Sequence, residues 1–204
     1  MMDLTGKCAL VTGSGQRIGT ACAQTLVQAG VRVAWHAHHS RQAAQQQCQQ
    51  IRQQGGEVEL FIADLADAEQ TQGLFQEVNA RMGEVQILVN NAAIFRPASL
   101  AGLTLTAWQE MLAINLTAPM LLMQQFARQC GKQSGSIVNI VDQRIHRPRP
   151  GHVAYTLAKS ALWTLTQIAA VELAPNIRVN AIAPGPILPA VDAAPMAFQA
   201  VVAA

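Results

Sequence analysis

The sequence predicts an α/β fold, a three-layer arrangement in which a doubly wound parallel sheet carries helices on both faces. Three features of the chain point to it. Apolar runs of five or six residues alternate with longer amphipathic segments, the pattern of strands buried on both faces by crossover helices. Hydrophobic residues make up 50% of the 204 residues and charged ones 13%, against about 25% charged in an ordinary globular protein, which excludes a disordered chain. The first apolar run leads directly into a glycine-rich turn and then a helix, LVTGSGQRIG from Leu10 to Gly19.

Strands are expected at Ala9 to Thr12, Arg32 to Trp35, Val58 to Ile62, Ile87 to Asn90, Ser136 to Ile140 and Arg178 to Ile182. Between the first two, a helix is expected from Ile18 to Gln28. The next spans Ser40 to Gln54; its eight glutamines from Gln42 to Gln54 resemble a low-complexity tract. Helix propensity and the interspersed Ala43, Ala44, Cys48 and Ile51 favour a solvated helix instead. A third helix runs from Asp67 to Met82 and a fourth from Thr106 to Arg128, with a break near Thr117. Asp67 with Gln70, and Thr106 with Gln109, have capping-box spacing, in which side chains and end N–H groups satisfy each other. The last helix covers Ala154 to Leu173. Pro184, Gly185, Pro186 and Pro189 then end the sixth strand in a loop, and too little chain follows for a closing helix and strand.

Composition also narrows the function. With 14 Lys and Arg against 12 Asp and Glu, a net charge of +2 gives no electrostatic reason to expect nucleic acid as a partner. Cys8, Cys22, Cys48 and Cys130 stand singly, without disulfide or zinc spacing, and read as buried thiols of a reducing compartment. No secretion signal and no membrane-length apolar stretch is visible, so a cytoplasmic location is expected.

The glycine turn reads as a Rossmann-like dinucleotide site. Gly13 and Gly15 let the backbone turn tightly and approach a diphosphate, Gly19 allows helix and sheet to pack closely, and the helix N-terminus offers N–H groups and positive potential. A purely structural turn is the alternative. A site for NAD commonly places Asp or Glu at the end of the second strand, but VRVAWHAHHSR, Val31 to Arg41, has no carboxylate. Arg17, His38, His39, Ser40 and Arg41 instead offer donors and positive charge for a 2′-phosphate, which favours NADPH. At least one of His36, His38 and His39 can equally coat a loop. Asp64, after the third strand, is placed to accept from an adenine amino group. Asn90, Asn91, Ala92 and Ala93 follow the fourth strand, where small side chains leave room for a cofactor and the amides can tie strands together.

Tyr155 and Lys159 are four residues apart and share a helix face. The ammonium is expected to favour the tyrosinate, lowering the phenol's pKa and preparing Tyr155 to deliver a proton as hydride arrives. Sheet topology brings both beyond the carboxyl end of the fifth strand, towards the glycine turn.

With these motifs the chain resembles the short-chain dehydrogenase/reductase family and, within it, the pteridine reductase branch, from about Leu4 to Leu188. The family's TGxxxGxG appears as TGSGQRIG, with Arg17 in place of the middle glycine, as that branch tolerates or favours. NNAAIF, Asn90 to Phe95, resembles the branch's NNASxF, with Ala93 for the serine, and Asn115 occupies the family's helical asparagine position. The catalytic serine expected thirteen residues before the tyrosine is Asp142, itself a branch marker.

The resemblance implies that residues 1–204 form one NADP-binding reductase domain with a substrate loop near 185–204. It further implies that NADPH reduces a pterin ring while Tyr155 supplies a proton, assisted by Asp142 and Lys159. Asn115 would hold a helix and a water chain serving Lys159, Phe95 would sandwich the pterin, and Arg17 would bridge cofactor phosphate and substrate. Ile18, Pro184 and Gly185 complete the implied cofactor contacts, and no metal is implied. Family members normally continue through a further helix pair and a seventh strand, and assemble as homotetramers. The leading expectation is an NADPH-dependent dihydropterin reductase, with dihydrofolate as a further candidate substrate left open by the sequence. A general carbonyl or 3-oxoacyl-thioester reductase is the alternative, and a cofactor-binding or oligomerisation module without chemistry a third.

Overall fold

The computed structural model describes residues 3–131 and 133–187. In chain order the elements are β1 (Cys8–Val11), α1 (Arg17–Gln28), β2 (Arg32–Ala37), α2 (Arg41–Gln53), β3 (Val58–Ile62), α3 (Ala68–Met82) and β4 (Val85–Asn90). There follow α4 (Leu105–Leu112), α5 (Ala118–Cys130), β5 (Gly135–Ile140), α6 (Val153–Glu172) and β6 (Ile177–Ile182). The six strands form one parallel sheet in the order β3-β2-β1-β4-β5-β6.

Alternation along the strands supplies both faces of this sheet. Cys8 and Leu10 of β1 join one core with Leu88, Leu74, Phe75, Leu122 and Phe126, beneath α3, α5 and α6. Ala9 and Val11 point the other way, into a second core with Trp35, Ala23, Cys48 and Ile51 beneath α1 and α2. Phe126 is fully buried against Gly135, where an added Cβ would lie 2.5 Å from its ring. Truncating it to Ala is expected to cost about 3–5 kcal/mol, read as a lower urea midpoint.

Strand order reverses between β1 and β4, so their carboxyl ends diverge into a crevice, the usual ligand position in such sheets. Thr12 ties the two sides together. Its hydroxyl donates to the Val89 carbonyl at 3.3 Å and accepts from the N–H groups of Asn91 and Ala92 at 3.0 and 3.1 Å. Asn90 Nδ2 donates to Asn139 Oδ1 at 2.8 Å, joining β4 to β5.

The α/β class and all six expected strands are present, and two local details differ. Asp67 caps α3, accepting from the Glu69 and Gln70 N–H groups and from Gln70 Nε2 at 2.8, 3.2 and 2.9 Å. The cap of the fourth helix is not Thr106, however. Thr104 has the extended backbone a cap needs, and its Oγ accepts from Ala107 N–H at 3.2 Å, so the helix begins two residues early. The expected break near Thr117 is a widened π-helical stretch, Ala113–Thr117, between α4 and α5. Pro119 has no N–H to give the Asn115 carbonyl four residues back, and its ring crowds that carbonyl, which is a reason to widen there. Of the expected substrate loop near 185–204, all beyond residue 187 lies outside the described residues.

Candidate active site

The glycine turn is packed to its limit. Gly13 adopts φ +66°, and a Cβ there would lie 2.8 Å from Ala92 Cα. A Cβ on Gly19 would lie 2.1 Å from the Gly13 carbonyl oxygen, so α1 approaches the turn as only glycine allows. Gly15 faces Ser40 Oγ, at the start of α2. Arg17, where the family pattern has glycine, has φ +57° and is the one non-glycine residue at positive φ among those described. Such a backbone costs an L-residue roughly 1–2 kcal/mol.

These residues line a groove of about 790 Å³. Gly13, Gly15, Arg17, Ile18, His38, His39, Ser40, Asp64, Asn91 and Ala92 all contribute to its walls, as do Ala93, Ile94, Arg96, Glu110 and Ile114 at other points. A dinucleotide fits the donor set: glycine backbone at a helix N-terminus for the diphosphate, and the Arg17 guanidinium from the start of α1 with the imidazole and hydroxyl groups after β2 for a 2′-phosphate, whereas Arg41 does not line the groove. Asp64 accepts from Ala66 N–H at 2.9 Å and lies 3.7 Å from His38 Nδ1.

His36 was expected only as a possible loop residue; it is buried in β2. Its Nδ1 accepts from Gly13 N–H at 3.1 Å, so the ring proton is on Nε2, which donates to the Ala63 carbonyl at 3.1 Å. Burial pulls its pKa down to about 4, with the Ala63 bond opposing. A neutral imidazole thus braces the glycine turn from below.

Beyond the end of β5, Tyr155 Oη donates to Asp142 Oδ2 at 2.9 Å. Asp142 Oδ1 accepts from Arg144 N–H at 2.8 Å, capping the short 3₁₀ turn Gln143–Ile145. Lys159 is buried and its Nζ donates to the Ile140 carbonyl at 2.7 Å, 6.0 Å from the Tyr155 ring centroid. Burial pulls its pKa down to about 8, against the attraction of Asp142. The expected net lowering of the Tyr155 pKa is corrected by this arrangement. Burial first, then the charge of Asp142 and the hydrogen bond to it, push the phenol well above its usual value, with Arg144 opposing.

Asn115, fully buried in the widened helical stretch, accepts from Ile94 N–H at 3.2 Å and donates to the Ile94 and Met111 carbonyls at 3.1 and 3.0 Å. It fixes the segment carrying Phe95. The Phe95 ring is half exposed, stacks on His152 at 4.1 Å and meets Tyr155 edge-on at 4.6 Å. Pro184 accepts from Gln143 N–H at 3.2 Å, and Gly185 adjoins the Gln143 side chain.

Two groups of expected site residues therefore emerge, the groove set and the Asp142, Tyr155, Lys159 and Phe95 set, with Ile94 and Asn115 joining them. Tyr155, Lys159, Pro184 and Gly185 do not line the groove itself. Sequence reasoning missed Thr12, His36 as a brace, and the His152 and Arg144 contacts with Phe95. Among the described residues no group of three or more His, Cys, Asp or Glu is disposed to hold a metal.

A family model described as short chain dehydrogenase matches residues 7–197. Two solved structures, the FolM alternative dihydrofolate reductase 1 proteins of Brucella canis and Brucella suis, each with NADP, are 36% identical. They superpose with TM-scores of 0.94 and 0.93, covering 98% of this chain and 80% and 81% of theirs. The 3-oxoacyl-acyl-carrier-protein reductase of Synechocystis is 34% identical over 187 residues, 91% of this chain and 76% of that protein. A glycine turn built for a dinucleotide, a tyrosine and lysine beyond the fifth strand, and these matches lead to one assignment: the chain belongs to the short-chain dehydrogenase/reductase family.

Proposed function

We propose that this NADP(H)-dependent oxidoreductase reduces the ring of a dihydropterin, dihydrobiopterin-like or a dihydrofolate. The observation that carries the reading is the 2.9 Å hydrogen bond from Tyr155 to Asp142, a carboxylate at the position of the family's serine. A carboxylate accepts from the N–H edge of a nitrogen-rich ring, whereas it repels the alkoxide that develops when a carbonyl is reduced. The likeness to the Brucella proteins supports the same substrate class.

Bound NADPH supplies the hydride. Arg17, His38, His39 and Ser40 would hold its 2′-phosphate, Gly13, Gly15, Ile18, Asn91 and Ala92 its diphosphate and inner half, and Asp64 its adenine. Tyr155 keeps its proton until the substrate accepts it, and Asp142 orients the phenol. The Lys159 ammonium, held on the Ile140 carbonyl, stabilises the negative charge left behind. Asn115 fixes the segment bearing Phe95, whose half-exposed ring suits contact with an aromatic substrate. Pro184 and Gly185 flank the reacting end through Gln143. The proposal takes the molecule as a cytoplasmic homotetramer acting on a small molecule. Free thiols at all four cysteines suit a reducing compartment, and among the described residues no helix is long and apolar enough to cross a membrane.

The likeness to the Synechocystis reductase favours a second reading, reduction of a 3-oxoacyl thioester. Initial NADPH oxidation by the purified protein separates the two. Strong oxidation with 7,8-dihydrobiopterin and little with an acetoacetyl thioester is expected; the reverse overturns the pterin reading.

A further inference from the structure

Between Asp142 and Tyr155 the chain carries Arg144, His146, Arg147, Arg149 and His152, and no Asp or Glu occurs from Gln143 to Val171. Both ends of this basic segment are fixed at the reacting centre. Asp142 is held by Tyr155, and the Gly151 carbonyl and Val153 N–H bond the backbone of Ala98, three residues past Phe95, at 2.7 and 3.3 Å. Arg144 Cζ lies 5.3 Å from the centre of the Phe95 ring, and His152 stacks on that ring.

Among the described residues no carboxylate lies within ion-pair distance of Arg144, Arg147 or Arg149. Arg144 Nη1 is buried without a hydrogen-bond partner. A buried guanidinium N–H left unpaired is costly, and the cost is removed when a ligand brings the acceptor. The cofactor's phosphates do not answer to these groups, because none of the three arginines lines the groove. Of the three, Arg144 is the one held against Phe95, the ring next to Tyr155 that the proposed reading gives to the substrate, and Arg147 and Arg149 follow it in the same exposed segment.

We propose that the segment from Arg144 to Arg149 is a subsite for an anion, carboxylate or phosphate, carried on the side chain of the substrate. The inference rests on the dihydropterin reading and narrows it: the preferred substrate is a dihydropterin with a negatively charged tail. The neutral side chain of dihydrobiopterin leaves the arginines unmatched. The glutamyl carboxylates of a dihydrofolate, or the phosphate of a phosphorylated dihydropterin, match them with charge-assisted and bidentate hydrogen bonds.

The test compares kcat/KM for 7,8-dihydrofolate triglutamate, dihydroneopterin monophosphate and 7,8-dihydrobiopterin. The anionic substrates are expected to lead by about tenfold, and the lead to shrink by about the same factor in Arg147→Gln/Arg149→Gln and in Arg144→Gln. Which anionic substrate leads identifies the source of the anion. In parallel, p-aminobenzoyl-triglutamate, a tail without a pterin, is titrated by tryptophan fluorescence, since Trp163 meets His146 of the segment edge-on at 5.9 Å. Pterin turnover with a ratio that moves less than twofold between wild type and variants overturns the subsite and leaves the pterin reading standing. Arginine-dependent binding of the tail without turnover of any pterin does the reverse. No binding of the tail, with an unchanged ratio, also overturns the subsite.

Discussion

The buried imidazole beneath the glycine turn makes the fold sensitive to mild acid in a way that can be worked out. In the folded chain His36 Nδ1 must remain an acceptor for Gly13 N–H, and its pKa is about 4 instead of 6.5. Between these values the unfolded chain binds a proton that the folded chain refuses. Stability is therefore intact above about pH 6.5 and falls as pH drops towards 4. From pH 7 to pH 5 the loss is about 2 kcal/mol, of a full effect of about 3. For a domain of this size that is a fall in Tm of roughly 4–8 °C. Urea unfolding of wild type and His36→Gln at pH 7, 6 and 5 isolates the contribution of the imidazole, because Gln offers an acceptor and a donor without titrating. Wild type should lose about 2 kcal/mol more than the variant over this range. Equal losses in the two proteins would remove His36 as the source of this acid sensitivity.

Three further outcomes follow from the site. Tyr155→Phe should lower kcat by at least about 10²-fold while NADPH affinity, measured by fluorescence titration, changes little; retained turnover would remove Tyr155 as proton donor. With the Lys159 pKa pulled down to about 8, kcat/KM should decline as pH rises through that value and the ammonium is lost. A rate flat to pH 9.5 would contradict it. Arg17→Gly relieves the left-handed backbone at φ +57°, so Tm should hold or rise while NADPH affinity falls roughly tenfold. Unchanged affinity would show that the strained arginine serves another purpose.

Local pattern carried much of this into the sequence, and long-range pairing carried the rest out of reach. The first strand and its glycine turn are legible because the apolar run, the glycines and the helix are adjacent. The second strand looks finished at Trp35, since three histidines interrupt the apolar pattern. Yet His36 pairs in the ladder with Phe61, and its nitrogens are satisfied by Gly13 and Ala63, 23 and 27 residues away. Thr106 and Thr104 both suit a cap by residue type, and only the backbone angles choose between them. Asp142 is visible as a departure from a spacing. The raised Tyr155 pKa is not, because it depends on the burial of the phenol and on Asp142 turning to it. The Phe95, His152 and Arg144 arrangement joins two loops remote in sequence, and no local pattern announces it.

The reversal of strand order has a consequence for how the chain is made. Leu10 of β1 pairs with Leu88 of β4, so the crevice does not exist until the ribosome has supplied β4. At the usual 5–20 residues per second, β1 waits about 4–16 s after its own synthesis. During that interval β2 can cover one of its edges, while the other presents Cys8, Ala9, Leu10 and Val11 with open backbone groups, a template for pairing with another nascent chain. NADPH offers no protection then, since its binding site is completed by the same late pairing. Substitutions that delay the docking of β4 should thus reduce soluble yield more than equally destabilising ones in α6, and added cofactor should stabilise the finished protein without recovering that yield.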